Sequence, residues 1–343
     1  MCPKGSYQHI STIMTDNNII KTLRMEMLNT VERNILPFWS NNMQDEEHGG
    51  FYGQMRGDGT LIKDADKGGI LNGRILWSFA AAYRVLQRPE YLAAAKRARD
   101  YIINHFIDSE YGGSYWSVDY LGNAKDTKKQ FYAIGFMLYG MSEYVRAAIT
   151  DLRIPQTEIE ETIEISFQLF DTIEVHSLDR INNGYIEAQT REWGEIADMR
   201  LSDLDANYPK SQNTHLHIME PYTNLLRCLN EMETKGMSVD QNRKQQVADA
   251  LRNIICIFTD RILNPDTHHL DLFFENDWTR GAGWLESYGH DIECSWLMHE
   301  AAMVLADKDI LKKVEPIVVL VAKASEKGLN SDGSMTHEAN LDT

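Results

Sequence analysis

The sequence predicts an all-α protein built as a ring of helix pairs, an (α/α)6 barrel with short β-hairpins at the helix junctions. Three observations point there. Apolar residues recur at three- and four-residue steps through nine separate stretches. A glycine-and-aromatic motif returns between those stretches. No Pro-rich or Gly/Ser-rich linker interrupts them, so residues 17–343 read as one domain behind an N-terminal extension over 1–16.

The first stretch, 17–40, carries Ile20, Leu23, Met27 and Val31 on one helical face. Further helices are expected over 68–87, 90–107, 127–148, 157–176, 212–235, 240–263, 288–306 and 309–326. The junction motif begins at His48, Tyr111, Asn182, Thr267 and Ser331. Four of these five segments place glycine at a turn before short aromatic or β-branched residues, as a small hairpin requires. The segment at Thr267 lacks the glycine and fits worst. A spacing of roughly 60–90 residues suits a helix–helix–hairpin unit repeated around a ring. A ring of this kind closes with twelve helices, and nine stretches leave it about three short. An all-α solenoid or an irregular bundle would show the same periodicity.

Composition narrows the function. The chain has 343 residues, 43% of them hydrophobic, enough for a sizeable core. Its formal charge of −17 comes from 51 acids against 34 bases. Such a surface repels nucleic acid and anionic membranes, and a phosphorylated substrate would need a locally basic pocket. A neutral ligand fits more easily. Cys2, Cys228, Cys256 and Cys294 have no CxxC spacing, and the last three lie in apolar helical stretches, which points to buried thiols. The N-terminus has no apolar signal-peptide core, and no run reaches transmembrane length, so a cytoplasmic protein is expected.

Several polar residues stand where chemistry could occur. Residues 287–293, SerTyrGlyHisAspIleGlu, open a helix with Ser287 as an N-cap candidate and His290 in the first turn. The positive end of a helix dipole disfavours imidazolium there, and Glu293, three residues on, could orient the ring. An incidental acidic neighbour is the alternative. In residues 213–220, Asn213 and His217 share a helix face, whereas His215 points elsewhere. That pair reads equally as a satisfied core site or a ligand site. Arg74 sits in an apolar helix with Ile70 and Trp77, where it needs either an acidic partner or a ligand oxygen. Tyr132 has core spacing, and Asp205 lies in a loop. No HExxH, cysteine cluster or EF-hand loop occurs, and His268 and His269 would point apart in a strand, so no metal centre is expected.

Taken in order, PheTrp at 38–39, GlyGlyPheTyrGly at 49–53, LysGlyGlyIleLeuAsnGlyArgIleLeuTrp at 67–77, TyrGlyGlySerTyrTrp at 111–116, AsnThrHisLeuHis at 213–217 and SerTyrGlyHisAspIleGlu at 287–293 resemble the cellobiose 2-epimerase branch of the N-acylglucosamine 2-epimerase superfamily. The resemblance implies a central-cavity active site that inverts C2 of the reducing-end glucose of a β-1,4-linked disaccharide, with no metal or nucleotide cofactor. It implies that His290 is one of two acid/base histidines and Glu293 its supporting acid. By the same resemblance Arg74 and His217 contact the reacting end of the sugar, while Asn213, Tyr132 and Asp205 shape the pocket. Trp77 is expected to pack on a sugar face. The second histidine of the family falls beyond Thr343, in line with the helix count. The expectation is therefore a monomer if the barrel is complete, and self-association with little turnover for a chain ending here. Other members of the superfamily act as N-acylglucosamine epimerases or aldose–ketose isomerases. An (α/α)6 glycoside hydrolase working with two carboxylates and a sugar-binding fragment without turnover are the readings outside that chemistry.

Overall fold

The computed structural model describes residues 6–281 and 285–340. Helices α1 (Ser6–Thr30) and α2 (Leu36–Asn42) are joined by a π-helical turn at Val31–Ile35 into one rod. Eight more helices follow: α3 (Gly69–Leu86), α4 (Pro89–Tyr101), α5 (Phe131–Ala148), α6 (Gln156–Thr172), α7 (Gln212–Thr234), α8 (Gln241–Ile257), α9 (Tyr288–Leu305) and α10 (Lys308–Ser325). These match the periodic stretches closely. The exception is the first rod, which is already helical at Ser6, inside the segment expected to be an extension. Its breakers, Pro3 and Gly5, precede Ser6, and no proline or glycine follows until Pro37.

The helices form two layers. α3, α5, α7 and α9 pack side by side as an inner row, and α4, α6, α8 and α10 each cover the helix before or beside them in sequence. α5, with inner neighbours on both sides, is buried at every residue. Outer α4 buries only a stripe, including Tyr91, Leu92, Ala95 and Ala98. Two glycines set the inner spacing. A Cβ at Gly135 would stand 2.6 Å from the carbonyl oxygen of His217, and one at Gly73 would stand 2.7 Å from that of Phe136. Only glycine lets the three backbones approach so closely. None of the described helices is long and apolar enough to cross a membrane.

The junctions repeat one construction. Asp45, Asp108, Asp179 and Asn264 each accept, through one side-chain oxygen, the backbone N–H groups two and three residues on. Gly49, Gly112, Asn183 and His268 take the left-handed conformation the turn needs. The Thr267 segment, the poorest match by sequence, therefore folds like the others with His268 at φ 63° in place of glycine. Lys67, Lys129 and Lys210 then reach the second carboxylate oxygen of Asp45, Asp108 and Asp179, each at 2.8 Å. These lysines are buried, and removing one partner of such a pair typically costs about 3–5 kcal/mol. At the fourth junction Asn264 replaces the aspartate and Glu286 stands where the lysine would be.

The junction strands are two or three residues long: β1 (Gln54–Met55), β2 (Leu61–Ile62), β3 (Lys67–Gly68), β4 (Ser117–Val118), β5 (Ala124–Asp126), β6 (Lys129–Gln130), β7 (Ala188–Gln189), β8 (Lys210–Ser211), β9 (Phe273–Phe274), β10 (Leu285–Ser287) and β11 (Glu338–Asn340). β1–β2 and β4–β5 are local hairpins, as expected. The other four pairings, β3–β4, β6–β7, β8–β9 and β10–β11, join the strand before one inner helix to the next junction. All of them are antiparallel. They stitch successive helix pairs together at the end where the inner helices begin.

Candidate active site

Because every inner helix begins at the stitched end, its first turns converge there. Asn213 on α7 and His290 on α9 line a recess of about 70 Å3 with Asp205, Tyr208, Gln212 and Glu187. One helical turn further along, His217 and Glu293 join Arg74, Trp77, Phe136, Tyr139 and Trp296 around a cavity of about 540 Å3. Tyr132 connects to this wall through Arg74 and His217. The eight residues singled out by sequence thus gather along the N-terminal halves of α3, α5, α7 and α9 and in one adjoining loop.

His290 is held as a proton acceptor requires. Its Nδ1 lies 2.8 Å from Ser287 Oγ, and among the described residues Nε2 has no hydrogen-bond partner. Burial lowers its pKa to about 4, and the neighbouring His217 and His337 push the same way. The ring is neutral at ordinary pH. Ser287, expected only as an N-cap, makes no side-chain cap bond and supports the imidazole instead.

Glu293 departs from expectation. It makes no hydrogen bond to His290 among the described residues, and its Oε1 stands 4.0 Å from Nε2 of His217. Burial raises its pKa, while His217 and Arg74 oppose the rise. The three-residue spacing on α9 is real, but α7 brings another imidazole to the same carboxylate. His217 is itself buried, and its Nδ1 lies 3.0 Å from Oε2 of Glu220. Tyr132 meets its ring edge-on at 4.8 Å and Phe136 lies 5.0 Å away. His215 points away from the cavity, as the helix geometry predicts, with Nδ1 on Ser211 O and Nε2 accepting the N–H of Tyr185.

Arg74 is exposed on the cavity wall, not buried as its apolar helix suggested. Among the described residues no carboxylate forms an ion pair with it. Its Nη2 donates to the Tyr132 hydroxyl at 3.2 Å, and its guanidinium lies 4.3 Å over the Phe136 ring. Burial pushes Tyr132 up to about 12, so its hydroxyl keeps its proton. Trp77 stacks on Tyr139 at 5.1 Å, and its buried Nε1 has no partner among the described residues. The Oδ1 of Asn213 is likewise buried and without one. Asp205 is held in its loop by Ser202, whose N–H and hydroxyl both donate to Oδ2.

Sequence reasoning missed Phe136, Tyr139, Glu187 and Glu220, and read Ser287 only as a cap. Glu220 was within reach, because it stands at the same i+3 spacing after His217 that drew attention to Glu293. Glu187 lies beyond any local rule. It is buried beneath the start of α7, where Ser211 and Thr214 donate to it at 2.7 and 2.6 Å.

Burial pushes the Glu187 carboxyl up to about 7 from the ordinary 4.5. The folded protein therefore keeps a proton that the unfolded chain releases between pH 4.5 and 7. Stability is fullest below that window and falls across it, by up to ~1.4 kcal/mol per pH unit. Glu187→Gln is expected to flatten the decline in melting temperature between pH 5 and pH 8. Equal declines in both proteins would show that Glu187 is ionised throughout.

Comparison with known proteins adds a lineage. The family model described as N-acylglucosamine 2-epimerase (GlcNAc 2-epimerase) matches residues 50–342. A cellobiose 2-epimerase of Bacteroides fragilis is 51% identical over 321 residues, spanning 94% of this chain and 76% of that protein. The solved cellobiose 2-epimerase of Bacillus thermoamylovorans superposes with a TM-score of 0.83 at 35% identity, covering 94% of this chain and 77% of that one. A GH76 α-mannanase of Bacteroides thetaiotaomicron reaches 0.54 at 12% identity over 93% of this chain and 77% of that one, which shows a shared fold alone.

Proposed function

Because the chain belongs to the N-acylglucosamine 2-epimerase family, we propose that it inverts C2 of the reducing-end glucose in a β-1,4-linked disaccharide such as cellobiose. The C2 proton becomes acidic once ring opening exposes an aldehyde at C1. His290 takes that proton. The resulting cis-enediolate carries its charge on the C1 and C2 oxygens. An acid on the other face returns a proton to C2 to give the mannose configuration, and His290 releases its own proton to solvent. One observation carries this reading: a half-buried imidazole held neutral lines a recess one helical turn from a cavity whose wall carries a guanidinium that no carboxylate neutralises among the described residues.

Each group has a physical task. A base with a lowered pKa stays unprotonated at neutral pH, and a well-placed acid/base is typically worth ~10²–10⁴-fold. Arg74 stabilises charge as it develops on oxygen, with Tyr132 and Phe136 fixing the direction of the guanidinium. His217 meets the same oxygens, and Trp77 and Tyr139 present aromatic faces to the sugar. Asn213 and Asp205 border the recess beside His290. Domain assignment follows the same reading, with residues 17–343 belonging to one barrel domain.

Product analysis separates this function from hydrolysis. Cellobiose incubated with the full-length protein is expected to yield glucosyl-mannose with the glycosidic bond intact, followed by chromatography and NMR. Release of free glucose would support a hydrolase instead. Neither product, with sugar binding detected, would leave a binding protein.

A further inference from the structure

Outside the eight residues already assigned, the best-defined polar group on the cavity wall is Glu220. It lies on α7 one turn after His217, with Oε2 3.0 Å from His217 Nδ1. Both side chains are nearly enclosed, at 12% and 5% exposure, so bulk water does little to weaken the contact. An ionised carboxylate only accepts hydrogen bonds, so the proton between the two atoms belongs to Nδ1. That leaves Nε2 as the nitrogen turned toward Glu293, 4.0 Å away, where the cavity begins.

We propose that Glu220 is a positioning residue that fixes the tautomer of His217, keeping a proton on Nδ1 and presenting an unprotonated Nε2 to the substrate oxygens. This rests on the epimerase reading for its consequence, though not for its geometry. With Nδ1–H fixed, Nε2 accepts the proton of the C2 hydroxyl. An N–H bond forms, the O–H bond breaks, and its electron pair stays on oxygen beside Arg74. The imidazolium so formed is balanced by Glu220 and donates its Nε2–H back to that oxygen when the proton returns. The two histidines are thereby differentiated. His290, set against a serine hydroxyl, stays neutral to remove a carbon-bound proton, while His217, set against a carboxylate, is stabilised when it becomes charged.

The sequence at residues 217–220 explains why the contact forms. Three residues on a helix bring the two side chains onto one face. The rings of Tyr132 and Phe136 hold the imidazole from the α5 side, so rotation about its bonds is restricted. Burial first, and then the neighbouring Glu220 carboxylate, keep the Tyr139 hydroxyl protonated.

The test uses ¹⁵N NMR of ring-labelled histidine in the full-length protein, with the His217 signals identified by their loss in His217→Gln. At neutral pH the wild type is expected to show a protonated Nδ1 and an unprotonated Nε2. Glu220→Leu should shift the proton toward Nε2 or give a mixture. Glu220→Gln, nearly the same shape, retains an acceptor for Nδ1–H but loses the charge. It is expected to keep KM within about threefold and to lower kcat roughly 10–100-fold, by analogy with removing a carboxylate behind a metal-bound histidine. An unchanged ring pattern in Glu220→Leu would overturn the proposal, as would an unchanged kcat in Glu220→Gln. The ring pattern needs no substrate. A protein that shows it and does not epimerise would contradict the assigned reaction and leave the tautomer assignment standing.

Discussion

His290→Asn in the full-length protein is expected to abolish epimerisation, with a loss of at least ~10²–10⁴-fold in kcat. The imidazole is half-buried in the recess and held neutral, with its Nδ1 engaged by Ser287. An amide keeps polarity at the same place but cannot take a proton from carbon. Asparagine is tolerated near a helix start, so the melting temperature should hardly move. In the wild type the acid limb of kcat/KM should fall only as the pH drops through about 4, where His290 becomes protonated. Full activity in the variant would assign the base to another residue.

The second large effect is expected from Arg74→Lys. Lysine keeps the charge but loses the planar fork, the bond to Tyr132 and the placement over Phe136. Losing one donor to a developing oxyanion typically costs about 10²–10³-fold in kcat. Stability should change little, within about 0.5 kcal/mol, because the substitution strands no carboxylate. Thermal melts and kcat measured on the same preparations separate the possibilities. A clear drop in melting temperature with unchanged activity per folded molecule would make Arg74 a structural residue.

Much of this fold was legible because apolar periodicity is a local property. The helices of the two layers followed from three- and four-residue steps, while two starts escaped: the first rod begins at Ser6, and α5, expected from 127, begins at Phe131 after strand β6. The strand pairings were not legible. Strands of two residues cannot display alternation, and their partners lie in the next junction. The lysine–aspartate pairs were hidden for a similar reason. Their members stand 22, 21 and 31 residues apart, and an isolated lysine reads as surface until tertiary structure buries it.

At the site, sequence singled out residues that the structure brings close together but could not pair them. His217 and Asn213 were placed on one face and His215 on the other by helix geometry alone, and both placements hold. Glu293 was matched to His290 because a single helix offers no other histidine at that spacing. The structure supplies α7 and gives the carboxylate to His217. Arg74 could not be read as free of an ion pair from an acidic sequence, since any of 51 carboxylates might have met it. Such choices between partners depend on packing between helices, which local spacing does not encode.

The central claim is that a proton leaves C2 and returns to its opposite face at this cavity. Its most direct test is to incubate the full-length protein with cellobiose in heavy water and to examine the product by NMR and mass spectrometry. Solvent deuterium is expected at C2 of the mannose unit, one atom per turnover, and absent when His290→Asn replaces the wild type. Product formed without deuterium at C2, under conditions where the enzyme-bound proton exchanges with solvent, would contradict proton transfer through an enediolate.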